Sequence, residues 1–187
     1  MNCYDFDKTI FYPDSSGAFY RRCLRKHFLI LLPTLPGSLV CAVRYMRGRM
    51  GAKELKQQLY SFLPKLPDVD REVLDFWNEN RQGIGQWYLE QKRSDDVIIS
   101  ASPEFLLAPI CRELGVTLIG TRMDKHTGLI SGKNCHDVEK VPRFYERFPG
   151  AHVDEFYSDS LTDSPMAEIA DRAFMLKKHK VSPWPEK

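Results

Sequence analysis

Four small sets of polar residues have the types and spacing to do chemistry: Asp5 with Asp7 and Thr9, Ser100 with Ser102, Lys140, and Asp159 with Asp163. Each follows a short apolar run or sits on the helix after one. Two carboxylates at i and i+2 supply oxygen nucleophiles, general acids or bases, and hard ligands for a cation such as Mg²⁺. A lysine adds a point charge, while serine hydroxyls and adjacent backbone amides can cradle an anion's oxygens. Singly, each set has an ordinary explanation as a turn cap, a helix-start carboxylate or a solvated lysine. Their order and common placement at strand ends point to one site.

Those residues need elements to hold them. Met1 to Phe6 reads as a short apolar strand, and Val97 to Ile99 is a β-branched run of the kind buried on both faces of a parallel sheet. A helix is predicted from Pro103 to Leu114, stopped by Gly115, then a strand from Val116 to Ile119 and a pair of short extended pieces around Met123 to Ile130. A helix near Val138 to Phe148, a strand near His152 to Tyr157, a helix from Ser164 to Ala170 and a strand at Ala173 to Leu176 complete the pattern. This alternation predicts an α/β fold, a Rossmann-like doubly wound parallel sheet with ligands beyond the carboxyl ends of its strands. From Asp14 to Lys92 the apolar spacing is helical, with Phe19, Cys23, Leu24 and Phe28, then Leu55, Leu59, Phe62 and Leu63, then Val73, Leu74 and Trp77. Prolines and glycines divide it into about four helices. The expected organisation is a core of residues 1–13 and 93–187 with an all-helical cap, 14–92, inserted after the first strand. Trp77, Trp87 and Tyr88 read as cap core, and the tail from Lys177 as a surface strand-end and loose terminus.

The segments DFDKT at 5–9, VIISASPE at 97–104, GKNCHDVEK at 132–140 and YSDSLTDSP at 157–165 resemble the four motifs of haloacid-dehalogenase-like hydrolases. The nearest pattern is the helical-cap branch that holds phosphoserine phosphatase and phosphatidylglycerophosphate phosphatases. The resemblance implies that Asp5 is the nucleophile and Asp7 the general acid/base. It makes Ser100, the Ala101 amide and Lys140 phosphate ligands. Asp5, the Asp7 backbone carbonyl and Asp159 would hold Mg²⁺, with Asp163 as an orienting carboxylate. The implied activity is Mg²⁺-dependent hydrolysis of a small phosphomonoester through an aspartyl-phosphate. An acid at Asp7 favours a phosphatase over a dehalogenase, because a departing halide needs no proton. Thr9 reads as a helper bonded to nearby backbone, and Ser102 as either a helix cap or a phosphate contact. Asp14 and Arg44 are candidates for substrate specificity. Alternatives are a phosphatase acting on a lipid phosphate at a membrane surface, and a non-enzymatic receiver-like phospho-acceptor or scaffold. A receiver needs an acid after a middle strand, where Gly120 and Thr121 stand here.

The 187 residues carry 27 Lys+Arg against 25 Asp+Glu, a balance that argues against a protein coating nucleic acid. Five cysteines without a C-x-x-C pair suit a reducing cytoplasm, and charged residues within the first five positions leave no signal-peptide apolar region. His27, His126, His136, His152 and His179 lack metal-ligand spacing and read as structural or surface residues. Nothing in the pattern specifies an oligomer. From Phe28 to Val43 there is no charge, and Pro33, Pro36 and Gly37 suggest two helix ends meeting at a turn. Flanking it, Arg21, Arg22, Arg25, Lys26, Arg44, Arg47, Arg49 and Lys53 give eight positive charges with no acid between residues 21 and 53, leaving −6 elsewhere. The segment reads either as buried cap core with solvated basic faces or as an apolar tip with basic shoulders. The shoulders would then meet an anionic membrane peripherally or steer a small anionic substrate.

Overall fold

The computed structural model describes residues 1–177 and 180–185, so His179 lies outside the described residues. Its centre is a six-stranded sheet. The strands are β1 (Asn2–Tyr4), β2 (Val97–Pro103), β3 (Thr117–Thr121), β4 (Val153–Ser158), β5 (Ala170–Lys177) and β6 (Lys180–Pro183), in the order β3-β2-β1-β4-β5-β6. All neighbours are parallel except β5 and β6. The chain runs outward from β1 through β2 to β3, then crosses to β4 on the other side of β1. The gap between the ends of β1 and β4 is therefore the topological switch point, where open α/β sheets bind ligands.

Alternation along the strands divides the core by face. Tyr4, Ile98 and Tyr157 point into one cluster, Cys3, Val97, Ile99 and Phe156 into the other. The second is covered by α8 (Lys140–Arg147) and α9 (Ser164–Glu168) through Phe144 and Met166. On the first face, α7 (Glu104–Leu114) lies beside the helices inserted between β1 and β2. Tyr4, Tyr157 and Phe174 stack across three strands with ring centroids 4.8 and 4.9 Å apart.

The insertion contains α1 (Ser15–Lys26), α2 (Phe28–Leu31), α3 (Leu35–Met46), α4 (Ala52–Leu59), α5 (Val69–Asn80) and α6 (Gln86–Gln91). It shares one apolar cluster with the sheet, for Phe19, Tyr60, Phe62, Phe76 and Trp77 pack with Tyr4, Ile98 and Leu106. Trp77 donates its indole N–H to the Leu106 carbonyl at 2.6 Å and sets its ring edge-on to Phe6 and Phe11. Trp77 and Tyr88 are buried in this shared cluster.

Three expectations need correction. Pro33 and Pro36 do not make a turn. Each sits in the first turn of a helical piece, where a missing N–H costs nothing, so α2, a 3₁₀ turn at Leu32–Thr34 and α3 follow without a break. The segment is not buried core either: Leu29, Leu39 and Val40 are exposed. The tail is not loose at 180–183, since β6 pairs antiparallel with β5.

Arg22 is not a solvated basic residue but is buried, and Lys26, though half-exposed, is paired. Both turn inward to Glu72 on α5, which receives Arg22 Nη1 at 2.5 Å, Lys26 Nζ at 2.9 Å and His27 Nε2 at 2.9 Å. Burial alone would raise the Glu72 carboxyl, but hydrogen bonds from Lys26, His27 and Arg22 outweigh it and bring it down to about 2. A carboxyl depressed on folding stabilises fully above its unfolded pKa, roughly 4.3, and loses that contribution as pH falls toward 2. Glu72→Gln is therefore expected to cost about 2 kcal/mol at pH 7, the low side for a buried pair because Lys26 is half-exposed. Urea melts at pH 7, 4 and 3 should show the gap from the parent protein narrowing with acid; a constant gap contradicts the hub.

Candidate functional site

The strands end together, and each end delivers a functional side chain. Asp5 continues β1 by donating its N–H to the Tyr157 carbonyl at 2.8 Å, which fixes it beside the end of β4, one residue before Ser158 and two before Asp159. In β2 the register with β3 slips between Ile99 and Pro103. That irregularity releases Ser100, Ala101 and Ser102 from regular pairing and turns them into a cavity of about 320 Å³. The same cavity is lined by Asp5, Asp7, Asp14, Lys140, Asp159 and Asp163. The structure thus brings together Asp5, Asp7, Ser100, Ala101, Lys140, Asp159, Asp163 and Asp14.

Lys140 opens α8 and is 1% exposed. Its Nζ donates to Asp5 Oδ1 and to Asp163 Oδ2, both at 2.7 Å, and Ser158 Oγ donates to the same Asp163 oxygen at 2.7 Å. Burial works against the ammonium, but Asp5 and Asp163 hold its pKa above the ordinary lysine value. Asp5 is pushed upward by burial, against the pull of Lys140. Asp7 has different surroundings. The Ser15 N–H donates to its Oδ1 at 2.6 Å and the Ser102 hydroxyl to its Oδ2 at 2.5 Å. Burial and then the charge of Asp14 raise its carboxyl, while the two donors oppose the rise. Burial raises both carboxyls, but their surroundings differ: Asp5 faces the Lys140 ammonium, while Asp7 is held by the Ser15 and Ser102 donors beside the Asp14 charge.

A divalent cation fits these residues. Five carboxylates line the cavity against three lysines, Lys8, Lys56 and Lys140, so an anion would enter a surplus of negative charge unless a cation offset it. The Asp159 carboxyl is raised by burial and by Asp163, a cost that a bound cation would remove. Both Asp7 side-chain oxygens already accept hydrogen bonds, which leaves its backbone carbonyl as the available ligand atom. Away from the cavity, His152, Asp154 and Asp171 also cluster, yet His152 pairs with Asp171 at 2.6 Å and Asp154 with the chain's amino group at 2.9 Å.

Residues 3–168 match the family model for haloacid dehalogenase-like hydrolases. The chain belongs to that family. Protein CicA of Caulobacter vibrioides is 30% identical over 184 residues, covering 90% of this chain and 82% of that protein. A crystal structure of a protein with unknown function from Bordetella pertussis Tohama I superposes with a TM-score of 0.70 at 22% identity, over 92% of this chain and 87% of that one. A phosphoserine phosphohydrolase-like protein from Francisella tularensis subsp. tularensis SCHU S4 gives a TM-score of 0.61 at 14% identity, over 96% and 88%. At such identities the two structures speak for the hydrolase's fold.

The hydrolase departs from the sequence reading at several residues. Arg44 is exposed on α3 and absent from the cavity wall, because the helical run carries it outward. The Thr9 hydroxyl is buried and meets no hydrogen-bond partner among the described residues, so its expected backbone bond is not made there. Ser102 is no helix cap: α7 starts after Pro103 without a side-chain cap, and the hydroxyl serves Asp7 with Ser15 and Ser16 alongside. Asp14 does cap α1, accepting the Gly17 N–H at 2.8 Å, while also facing the cavity. Lys56 was missed altogether. From α4 its Nζ donates to the Ala101 carbonyl and to Asn134 Oδ1, each at 2.7 Å, and burial brings its ammonium down to about 8. Lys8 also lines the wall, with φ at 60°, the left-handed region where side chains are strained.

Removing Lys140 would leave two buried carboxylates facing each other. Lys140→Met should destabilise the fold by about 3 kcal/mol in urea melts at pH 7.5. Adding Asp5→Asn should restore part of that loss, since the two residues are in contact. Additive losses would show that the pair is not coupled.

Proposed function

We propose that this hydrolase cleaves phosphomonoesters of small phosphorylated metabolites in two displacements through an aspartyl-phosphate on Asp5. The observation that carries the reading is the unequal pairing of Asp5 and Asp7 in one cavity at the switch point. An Asp5 carboxylate oxygen attacks phosphorus and the bond to the leaving oxygen breaks. Protonated Asp7 gives its proton to that oxygen. Asp7, now a carboxylate, takes a proton from the water that attacks the acyl-phosphate, releasing inorganic phosphate and regenerating Asp5. Lys140, the Ser100 hydroxyl and the Ala101 amide, all on the cavity wall, would hold the other phosphate oxygens. Asp5, the Asp7 carbonyl and Asp159 would hold Mg²⁺, which when bound offsets the charge of the phosphate. Membership in the hydrolase family and the phosphoserine phosphohydrolase-like neighbour support this reading. A volume near 320 Å³ suits a compact substrate head group, and Asp14 and Lys56 on its wall would meet the leaving group.

Asp5→Asn should lower p-nitrophenyl phosphate turnover on the order of 10³-fold or more while the protein remains folded by far-UV circular dichroism. Asp7→Asn should slow alkyl phosphates much more than aryl phosphates, because poorer leaving groups need the proton. Equal losses on both would remove Asp7 from the first step. Chelation should abolish turnover and Mg²⁺ restore it, with Asp159→Ala raising the Mg²⁺ concentration needed at least tenfold. Full activity after rigorous metal removal would overturn the reading.

A further inference from the structure

The helical run Phe28–Met46 is 19 residues long and apolar enough to cross a membrane by length and composition. It cannot do so in this fold. A single span would put β1 and α1 on one side of the bilayer and everything from α4 onward on the other, whereas β1 sits between β2 and β4 in the sheet. Nor is the run a core helix. Leu31 and Ser38, seven residues apart, are buried on its inner line, and α3 packs on α4. The opposite side presents Leu29 at 84%, Leu39 at 67% and Met46 at 76% exposure, with Leu32 and Val40 between them.

The surroundings of this face carry one sign of charge. From Ser15 to Lys53 the chain contains no acidic residue. Arg22 and Lys26 are satisfied by Glu72, and Lys53 donates to the Gly132 carbonyl. The exposed Arg21, Arg25, Arg44, Arg47 and Arg49 make no ion pair among the described residues. Tyr45, partly apolar and partly polar, is exposed at the arginine-rich end. A row of apolar side chains with unpaired arginines at both ends, and an aromatic at one, matches the boundary between headgroups and acyl chains of an anionic leaflet.

We propose that the exposed face of Phe28–Met46 docks the protein peripherally on an anionic lipid bilayer, its apolar side chains entering the interface and the flanking arginines meeting headgroup phosphates. The docking does not depend on the phosphatase reading. It does place the contact one helix from the cavity, since α4, on which α3 packs, carries Lys56 into the cavity wall.

Flotation of the full chain with vesicles of phosphatidylcholine alone, or with 30% phosphatidylglycerol, tests it without turnover. Binding to the anionic vesicles is expected to be at least tenfold tighter, and to fall severalfold when salt rises to about 0.5 M, where screening is short-ranged. Leu29→Ser with Leu39→Ser should release the protein at low salt. Arg47→Gln with Arg49→Gln should weaken anionic binding about tenfold, near 1.4 kcal/mol, and leave the weak phosphatidylcholine binding unchanged. All variants should keep the parent far-UV circular dichroism and p-nitrophenyl phosphate turnover. Asp5→Asn should float like the parent, which separates loss of docking from loss of catalysis. Absence of a phosphatidylglycerol preference, flotation indifferent to the leucine changes, or lipid-free self-association abolished by Leu29→Ser would each overturn the proposal, the last because a second copy would then cover the face.

Discussion

A lysine that is almost wholly buried stays charged only where carboxylates meet it, and Lys140 meets two. Desolvation would otherwise favour the neutral amine, and each carboxylate alone would carry a similar penalty. The three charges are therefore mutually dependent, and so are the segments that bring them. Asp5 comes from the end of β1, Asp163 from the turn after β4, and Lys140 from the first residue of α8. Ser158, the last residue of β4, supplies a further hydrogen bond to Asp163. The same contacts that order the fold at this edge hold one Asp5 oxygen in place and keep a cation beside it.

Sheet topology decides which groups can join that triad. Parallel neighbours put the carboxyl ends of β1 to β5 on one edge, and the reversal of strand order between β1 and β4 opens the crevice there. The register slip in β2 then adds a second kind of donor. Without it, Ser100, Ala101 and Ser102 would continue alternating across the sheet; with it, the Ser102 hydroxyl reaches Asp7 across 95 residues of sequence. Asp5 and Asp7 are two residues apart but differ in partners because one faces α8 and the other faces β2 and α1.

That division also explains what could be read in advance. Asp5, Asp7, Asp159 and Lys140 were legible because strand ends and their spacing are local properties, and the apolar runs before them fix where the side chains emerge. Ser15, Ser16 and Lys56 were not, since their roles exist only once α1 and α4 pack over the β2 loop. Thr9 and Arg44 were misjudged for the same reason in reverse: local chemistry suggested partners that tertiary placement withholds. The strand β6 was hidden because its Lys-Val-Ser-Pro sequence is exposed throughout, with no apolar alternation to betray it.

The insertion shows how packing sorts a sequence that looks uniform. Eight basic residues without an acid read as one patch, yet Arg22 and Lys26 pair with a buried glutamate while the arginines near α3 make no ion pair among the described residues. The inner set ties α1 to α5, and with Trp77 it locks the insertion to the sheet. Stability of the insertion is thus secured on one face, and the apolar outer face adds nothing to it. Exposed leucines beside unpaired arginines are costly for a protein in water alone, because they invite association without contributing to the core. Their placement on a helix packed against α4, the element that bears Lys56, links that outer face to the cavity through a single helix–helix contact.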